Sequence, residues 1–188
     1  MKKILQKGEG DPVLRGTTKD VPVKEITSPK IRKIVKEMSE ALKSQDDGVA
    51  IAAPQIGYLL SIFVVSGKVF DKDFLEGREA KYSGGKTAPA ESRSVSAGRP
   101  KDMIFINPKI SKLSKEKAWL PEGCLSVRWL YGQVHRSKKA TVTAYDENGK
   151  KFTRGGSGLL AQIFQHETDH LKGTLFTDTA RDVKEELP

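Results

Sequence analysis

Apolar positions recur at spacings of three and four in two stretches of the chain. In the first, Ile31, Ile34, Val35, Met38, Ala41 and Leu42 fall on one face, the period of an amphipathic helix. Lys30, Arg32, Lys33, Lys36 and Glu37 take the other face, which reads as solvated. Ser28-Pro29 marks the start, a capping residue followed by proline at the first helical position. Gln45-Asp46-Asp47-Gly48 ends it. In the second stretch, Leu159, Leu160, Ile163, Phe164 and Leu171 cover much of the circumference, so this helix is expected to be central. Ser157 or Gly158 opens it, and Gly173 fits its stop.

Period-two and continuous apolar runs predict strands at 61–65, 103–108 and 140–145. Glu147-Asn148-Gly149-Lys150 is a hairpin turn, with 151–154 returning. Residues 48–57 are small and apolar, with Gln55 inside, and small residues permit close backbone approach. Residues 119–127 enclose Pro121-Glu122-Gly123-Cys124-Leu125-Ser126. Residues 1–27 read as irregular. Residues 66–102 read as an inserted loop with a short helix around 74–82, and 177–188 as a short polar tail. No regular β-α-β alternation is present. The expected class is α+β, one domain over 1–188, with mostly antiparallel sheets packed around the second helix.

A chain of 188 residues can bury an adequate core without staples. Its single cysteine, Cys124, forbids an internal disulfide and suits a reducing, cytoplasmic setting. No run of about 18 apolar residues predicts a membrane span, and the N-terminus shows no signal-peptide core. The net charge of +9 permits contact with ribosomes or other acidic surfaces. The lysines are scattered, with no arginine cluster or aromatic interleaving, so no specific DNA or RNA recognition is expected.

The chemistry concentrates in Gln165-His166-Glu167-Thr168-Asp169-His170. Histidines four apart share a helix face and can reach one ion. Glu167, beside them, is placed to take a proton from a water held there. A catalytic metal needs a third protein ligand. Only 18 residues follow His170, and they offer Asp178, Asp182, Glu185 and Glu186 but no histidine. Upstream, Cys124 sits in a tight turn, and His135 lies in a basic segment. Ile163 and Leu159, three and seven residues before His166, fall on the same face as the histidines.

Three segments, at 48–55, 122–126 and 165–171, resemble in order the three signature motifs of the peptide deformylase family. The resemblance implies an α+β fold and one divalent ion bound by Cys124, His166 and His170. In that family the ion is typically Fe²⁺, with Zn²⁺ or Ni²⁺ able to occupy the site. It implies hydrolysis of the N-formyl group from the initiator methionine of nascent chains, releasing formate. The Leu125 backbone N–H and the Gln55 amide would steady the developing oxyanion, and Glu122 would orient the turn. Val49, Ala50, Leu159 and Ile163 match substrate-pocket positions, with the peptide added as a strand along Val49 and Ala50.

Three departures stand out: Ala50 where a second glycine is usual, Ile51 for leucine, and polar Gln162 where an apolar lining residue is commoner. They motivate an alternative, a related hydrolase acting on another N-acyl or formyl amide. The basic charge motivates another, an inactive ribosome-associated binding protein. A conventional endopeptidase would need a downstream ligand that the chain does not supply.

Overall fold

The computed structural model describes residues 2–71, 74–76 and 100–187. Its organising layer is a five-stranded antiparallel sheet. In chain order the strands are β1 (Ala50–Ala52), β2 (Ile62–Val65), β3 (Met103–Leu113), β6 (Lys139–Tyr145) and β7 (Lys151–Ser157), and they lie in that spatial order. A second sheet has the order β4 (Lys117–Gly123), β5 (Leu130–Ser137) and β8 (Arg181–Glu185). Three α-helices are described by range: α1 (Asp11–Leu14), α2 (Pro29–Lys43) and α3 (Gly158–Leu171).

The two helical periods and the strand alternation interlock. Successive strand side chains point to opposite faces. On one face Ile51, Ile62, Val64 and Ile106 meet Ile31, Ile34, Val35, Met38 and Leu42 of α2. On the other, Ala50, Ala52, Phe63, Val65 and Phe105 meet Ala161, Ile163, Phe164 and Leu171 of α3. Phe63 and Phe105 stack at 4.6 Å, and Phe164 meets Phe105 edge-on at 5.3 Å. β2 is buried on both faces, which is why it reads as a continuous apolar run rather than an alternation. α3 also contacts β5 of the second sheet, so it lies between the two sheets, as its apolar circumference suggests.

Local signals act where the sequence places them. Ser28 Oγ accepts from Ile31 N at 3.3 Å and caps α2, with Pro29 following. Asp146 Oδ1 accepts from Asn148 N and Lys150 N, closing the β6–β7 turn, with Gly149 at φ +78°. Gly173 ends α3 at φ +74°, and a Cβ there would sit 2.3 Å from the Arg15 carbonyl oxygen, so both backbone and space demand glycine.

Several expectations need correction. Residues 1–27 are not simply irregular: α1 buries Leu14 completely, and Val23–Glu25 forms a 3-10 turn. β5 was not anticipated. The expected strand at 103–108 runs on to Leu113, because a register shift between Ile106 and Lys109 absorbs Asn107 and Pro108. The short polar tail expected at 177–188 carries defined structure: it begins in a 3-10 turn, Phe176–Asp178, and contains β8, which pairs with β5. All five β8 residues are exposed, so no buried face marks the strand in the sequence. Of the helix expected at 74–82, residues 74–76 are helical and the remainder lies outside the described residues.

Asn107 does more than tolerate its φ of +52°. Its Oδ1 accepts from Val21 N and its Nδ2 donates to Val21 O, both at 2.7 Å, in a buried setting. The side chain thus ties the N-terminal segment to the bulge of β3. Asn107→Ala should cost about 2–4 kcal/mol, since it strands buried donor and acceptor groups and keeps an unfavourable φ. Urea denaturation checks this, with the m-value expected to be unchanged.

Candidate metal centre

α3 presents its two histidines to the β4–β5 side because its opposite face is occupied by the phenylalanine cluster. β4 ends in a turn that projects Cys124 toward them. The Sγ of Cys124 and one ring nitrogen each of His166 and His170 all lie within 4.8 Å of one another. Cys124 Sγ and His170 Nε2 are 3.2 Å apart, and the imidazole rings meet edge-on at 4.9 Å. One thiol and two imidazoles, partly or fully buried and converging on one point, form a donor set that a divalent transition metal fits. The chain's remaining histidine, His135, is exposed, so it does not join them.

The ring of His166 is oriented from behind. Its Nδ1 lies 2.9 Å from Glu122 Oε2, leaving Nε2 for an ion. Glu122 in turn receives Arg136 through two hydrogen bonds, Nε to Oε1 at 2.8 Å and Nη2 to Oε2 at 3.0 Å. Arg136 Nη1 continues to Asp169 Oδ2 at 2.6 Å. Burial pushes the Glu122 carboxyl up, but His166 and then Arg136 outweigh it and hold the group down at about 2. Glu122 is therefore a fixed anion, held between the His166 ring and the Arg136 guanidinium.

Glu167 has the opposite character. It is 4% exposed, and its Oε2 has no hydrogen-bond partner among the described residues. Burial pushes its carboxyl up to about 7, with the His166 charge opposing and Glu122 adding to the rise. A carboxyl that exchanges protons near neutrality suits a general base and acid.

Gln55 is 2% exposed. Its Oε1 accepts from Ala52 N at 2.8 Å, and its Nε2 donates to Ser126 Oγ at 3.1 Å and Cys124 Sγ at 3.6 Å. The amide hydrogens thus face the turn that carries Cys124 and Leu125. Ser126 N also donates to Cys124 Sγ, at 3.4 Å, so the sulfur is held from two sides of the turn. Val49, Ala50, Leu159 and Ile163 gather in one apolar cluster; Ala50 and Ile163 are buried, while Val49 and Leu159 are partly exposed. β1 is an edge strand of its sheet, so one side of its backbone is open to an added strand.

A family model described as polypeptide deformylase matches residues 1–186. Peptide deformylase 2 of Clostridium acetobutylicum is 36% identical over 168 residues, covering 89% of both chains. The chain belongs to the peptide deformylase family. The chloroplastic peptide deformylase 1A of Solanum lycopersicum is 39% identical over 90% of this chain, which spans only 56% of that longer protein. A solved peptide deformylase of Legionella pneumophila shares 31% identity at a TM-score of 0.74, covering 97% of this chain and 87% of that one. A peptide deformylase is a hydrolase of protein biosynthesis, and the α+β architecture agrees with its solved relatives.

Arg136, Asp169 and Arg128 make contacts around this centre that the sequence did not reveal. Arg136 lies in the stretch His135-Arg136-Ser137-Lys138-Lys139, which reads as basic surface, yet it is 7% exposed. Asp169 sits unremarked inside the histidine motif. Gln162, polar where an apolar lining residue is commoner, donates to Pro121 O at 2.8 Å and Glu122 Oε1 at 3.3 Å, a role its sequence position did not reveal. Arg128 ties the turn beyond Cys124 to the segment before Val49: it binds Asp47 at 2.6 and 3.1 Å and Gln45 Oε1 at 2.9 Å. No pattern within one segment reveals these partners, because each pair comes from distant parts of the chain.

Arg136→Met should destabilise the protein by roughly 3–5 kcal/mol, because it leaves the Glu122 charge buried with one partner fewer. Chemical denaturation of the variant beside the parent checks this. An exposed basic residue would show almost no change.

Proposed function

We propose that the protein removes the N-formyl group from the N-terminal methionine of newly made polypeptides, with Cys124, His166 and His170 holding one divalent ion. The observation that carries this reading is the pairing of that donor cluster with a buried Glu167 that has an unpartnered oxygen. A bound ion would supply Lewis-acid chemistry, lowering the pKa of a water and polarising the formyl oxygen. The donor set suits Fe²⁺, Zn²⁺ and Ni²⁺, and the family resemblance selects Fe²⁺ as the working ion.

The protein residues divide the remaining tasks. Glu167 takes the proton of the attacking water and later delivers one to the departing amine, so formate and a free N-terminus result. Gln55 Nε2 and the Leu125 backbone N–H donate to the formyl oxygen as negative charge develops on it. Val49, Ala50, Leu159 and Ile163 receive the methionine side chain, and the open edge of β1 pairs with the peptide backbone. Glu122 keeps the His166 ring in register. The net charge of +9 supports transient contact with the ribosome, where formylated chains emerge. The cytoplasm is the matching location, and no helix among the described residues is long and apolar enough to cross a membrane.

A second reading, a hydrolase of another N-acyl or formyl amide, keeps one support. The methyl of Ala50, where a glycine is usual, lies in the apolar cluster with Leu159 and Ile163, while Gln162 is turned toward Glu122 and Pro121. The third reading, an inactive binding protein, finds no missing chemical group.

Two experiments test the proposal. Glu167→Gln should lower kcat about 10²- to 10⁴-fold on a formyl-Met peptide while elemental analysis shows the metal retained. Turnover at the parent rate would remove Glu167 from its role, and preference for acetyl-Met would favour the second reading. Separately, anaerobic purification followed by elemental analysis should give about one iron per chain, with activity lost in air as a thiolate-bound ferrous ion oxidises. An air-stable enzyme containing only zinc would overturn the ferrous assignment.

A further inference from the structure

The second sheet turns one face to α3 and the other to solvent. Glu122, Gly132, Val134 and Arg136 face inward, three of them in the site or core already described. The outer face carries a stack assembled from all three strands. Trp119 of β4 lies opposite His135 of β5 in the strand register, and the two rings stack at 4.9 Å and 22°. Arg181 of β8, whose register partner is Gln133, reaches back to place its guanidinium 3.6 Å from the Trp119 ring centroid. The imidazole and the guanidinium thus sandwich the Trp119 ring, which is 41% exposed, and His135 is exposed, so the stack stands at the surface with His135 and Arg181 as its outer layers.

We propose that this outer face, built on Trp119, His135 and Arg181, is a docking surface for single-stranded RNA. Two features of the face argue for that occupant. Planar aromatic and guanidinium groups displayed on an open sheet accept unstacked bases, because every base has a π-face. The charge is complementary to a phosphate backbone: Lys184 pairs with Tyr131 in the strand register, and exposed Lys117 lies two residues before Trp119, which strand alternation places on the same face. β8 also carries two exposed carboxylates: Asp182, which pairs with Arg181 at 3.7 Å, and Glu185, whose register partner Leu130 belongs to the opposite face. The whole chain carries +9, so the long-range field favours a polyanion.

Two bland roles compete. A cation–π stack could serve only to fasten β8 to its sheet, and a basic surface could bind any polyanion without using the stack. Both are separable from a base-stacking surface. Stacking requires unpaired bases and the outer planes of His135 and Arg181, which Trp119 holds in place between them, whereas diffuse attraction requires only charge. The site lies on the opposite face of the sheet from Glu122, so its test is independent of formyl hydrolysis.

The experiment is fluorescence anisotropy of a labelled 12-nucleotide single-stranded RNA titrated with the full-length, metal-loaded protein. A DNA strand of the same sequence and an RNA duplex serve as comparison arms. The single strand should bind more tightly than the duplex and weaken as salt rises. Trp119→Ala should weaken it about 5- to 100-fold, whereas Trp119→Phe should retain most of the affinity. Arg181→Gln should weaken it and flatten the salt dependence. Lys33→Ala, on the exposed face of α2, should have little effect, and formate release should be unchanged in all four variants. Equal binding of duplex and single strand, or equal losses in Trp119→Ala and Lys33→Ala, would overturn the proposal. So would no detectable RNA binding by a folded parent protein. Equal affinity for the DNA strand would overturn RNA as the selected occupant. Concentration-dependent dimers in sedimentation, abolished by Trp119→Ala, would also overturn it by assigning the face to a second copy of the chain.

Discussion

The arrangement turns on one buried carboxylate. Glu122 is 3% exposed, and an isolated charge at such depth would cost several kcal/mol. It persists because three side chains from two elements converge on it: Arg136 from β5, and His166 and Gln162 from α3. Arg136 extends the same network to Asp169, one residue before the second histidine of the motif. Charge satisfaction therefore fixes how the small sheet sits against α3. The metal site inherits that placement. His166 cannot rotate without uncoupling Glu122, and Glu122 cannot move without stranding Arg136.

This explains the two-sided character of α3. Toward the five-stranded sheet it offers Ala161, Ile163, Phe164 and Leu171, which pack without polar partners. Toward the three-stranded sheet it offers Gln162, His166, Asp169 and His170, each polar and partnered across the gap. The apolar half supplies most of the burial, and the polar half supplies geometry. Dispersion and hydration forces hold the helix axis within a tolerance too loose for coordination, whereas directional bonds narrow it. A buried network is a fragile device when half satisfied. Here Glu167, the residue assigned to proton transfer, has an unpartnered oxygen, and His170 Nδ1 beside it is likewise without a partner among the described residues.

How much of this was legible depends on whether the information was local. The face of α2 could be read because six apolar positions repeat with one period, and Ser28-Pro29 caps them as written. Cys124, His166, Glu167 and His170 could be read because each sits in a short motif whose spacing carries chemistry. β8 could not be read, since an all-exposed strand has no alternation to betray it; its strand state is set by pairing with β5. Arg136 was hidden by its neighbours, exposed His135 and Lys138, which make the segment look wet. β3 was read short because Pro108 ordinarily ends a strand, and only the side-chain bonds of Asn107 to Val21 show how the bulge is held.

Gln55 shows how a neutral side chain can be as constrained as a charged one. Its two amide ends are chemically distinct but alike in shape, so their assignment must come from partners. Ala52 N can only donate, which fixes the oxygen at that end. The nitrogen end must then face Ser126 and Cys124. Because Gln55 belongs to a buried 3-10 turn that follows the edge strand β1, the donor is aligned by the same segment proposed to pair with substrate. A peptide seated along β1 would meet this amide without reorganising the backbone behind it. That preorganisation is worth most as oxyanion charge develops, since a fixed dipole requires no rearrangement at that moment. Leucine at this position would match the size of glutamine and leave Ala52 N unpaired in a buried turn, so steric similarity alone could not preserve the arrangement.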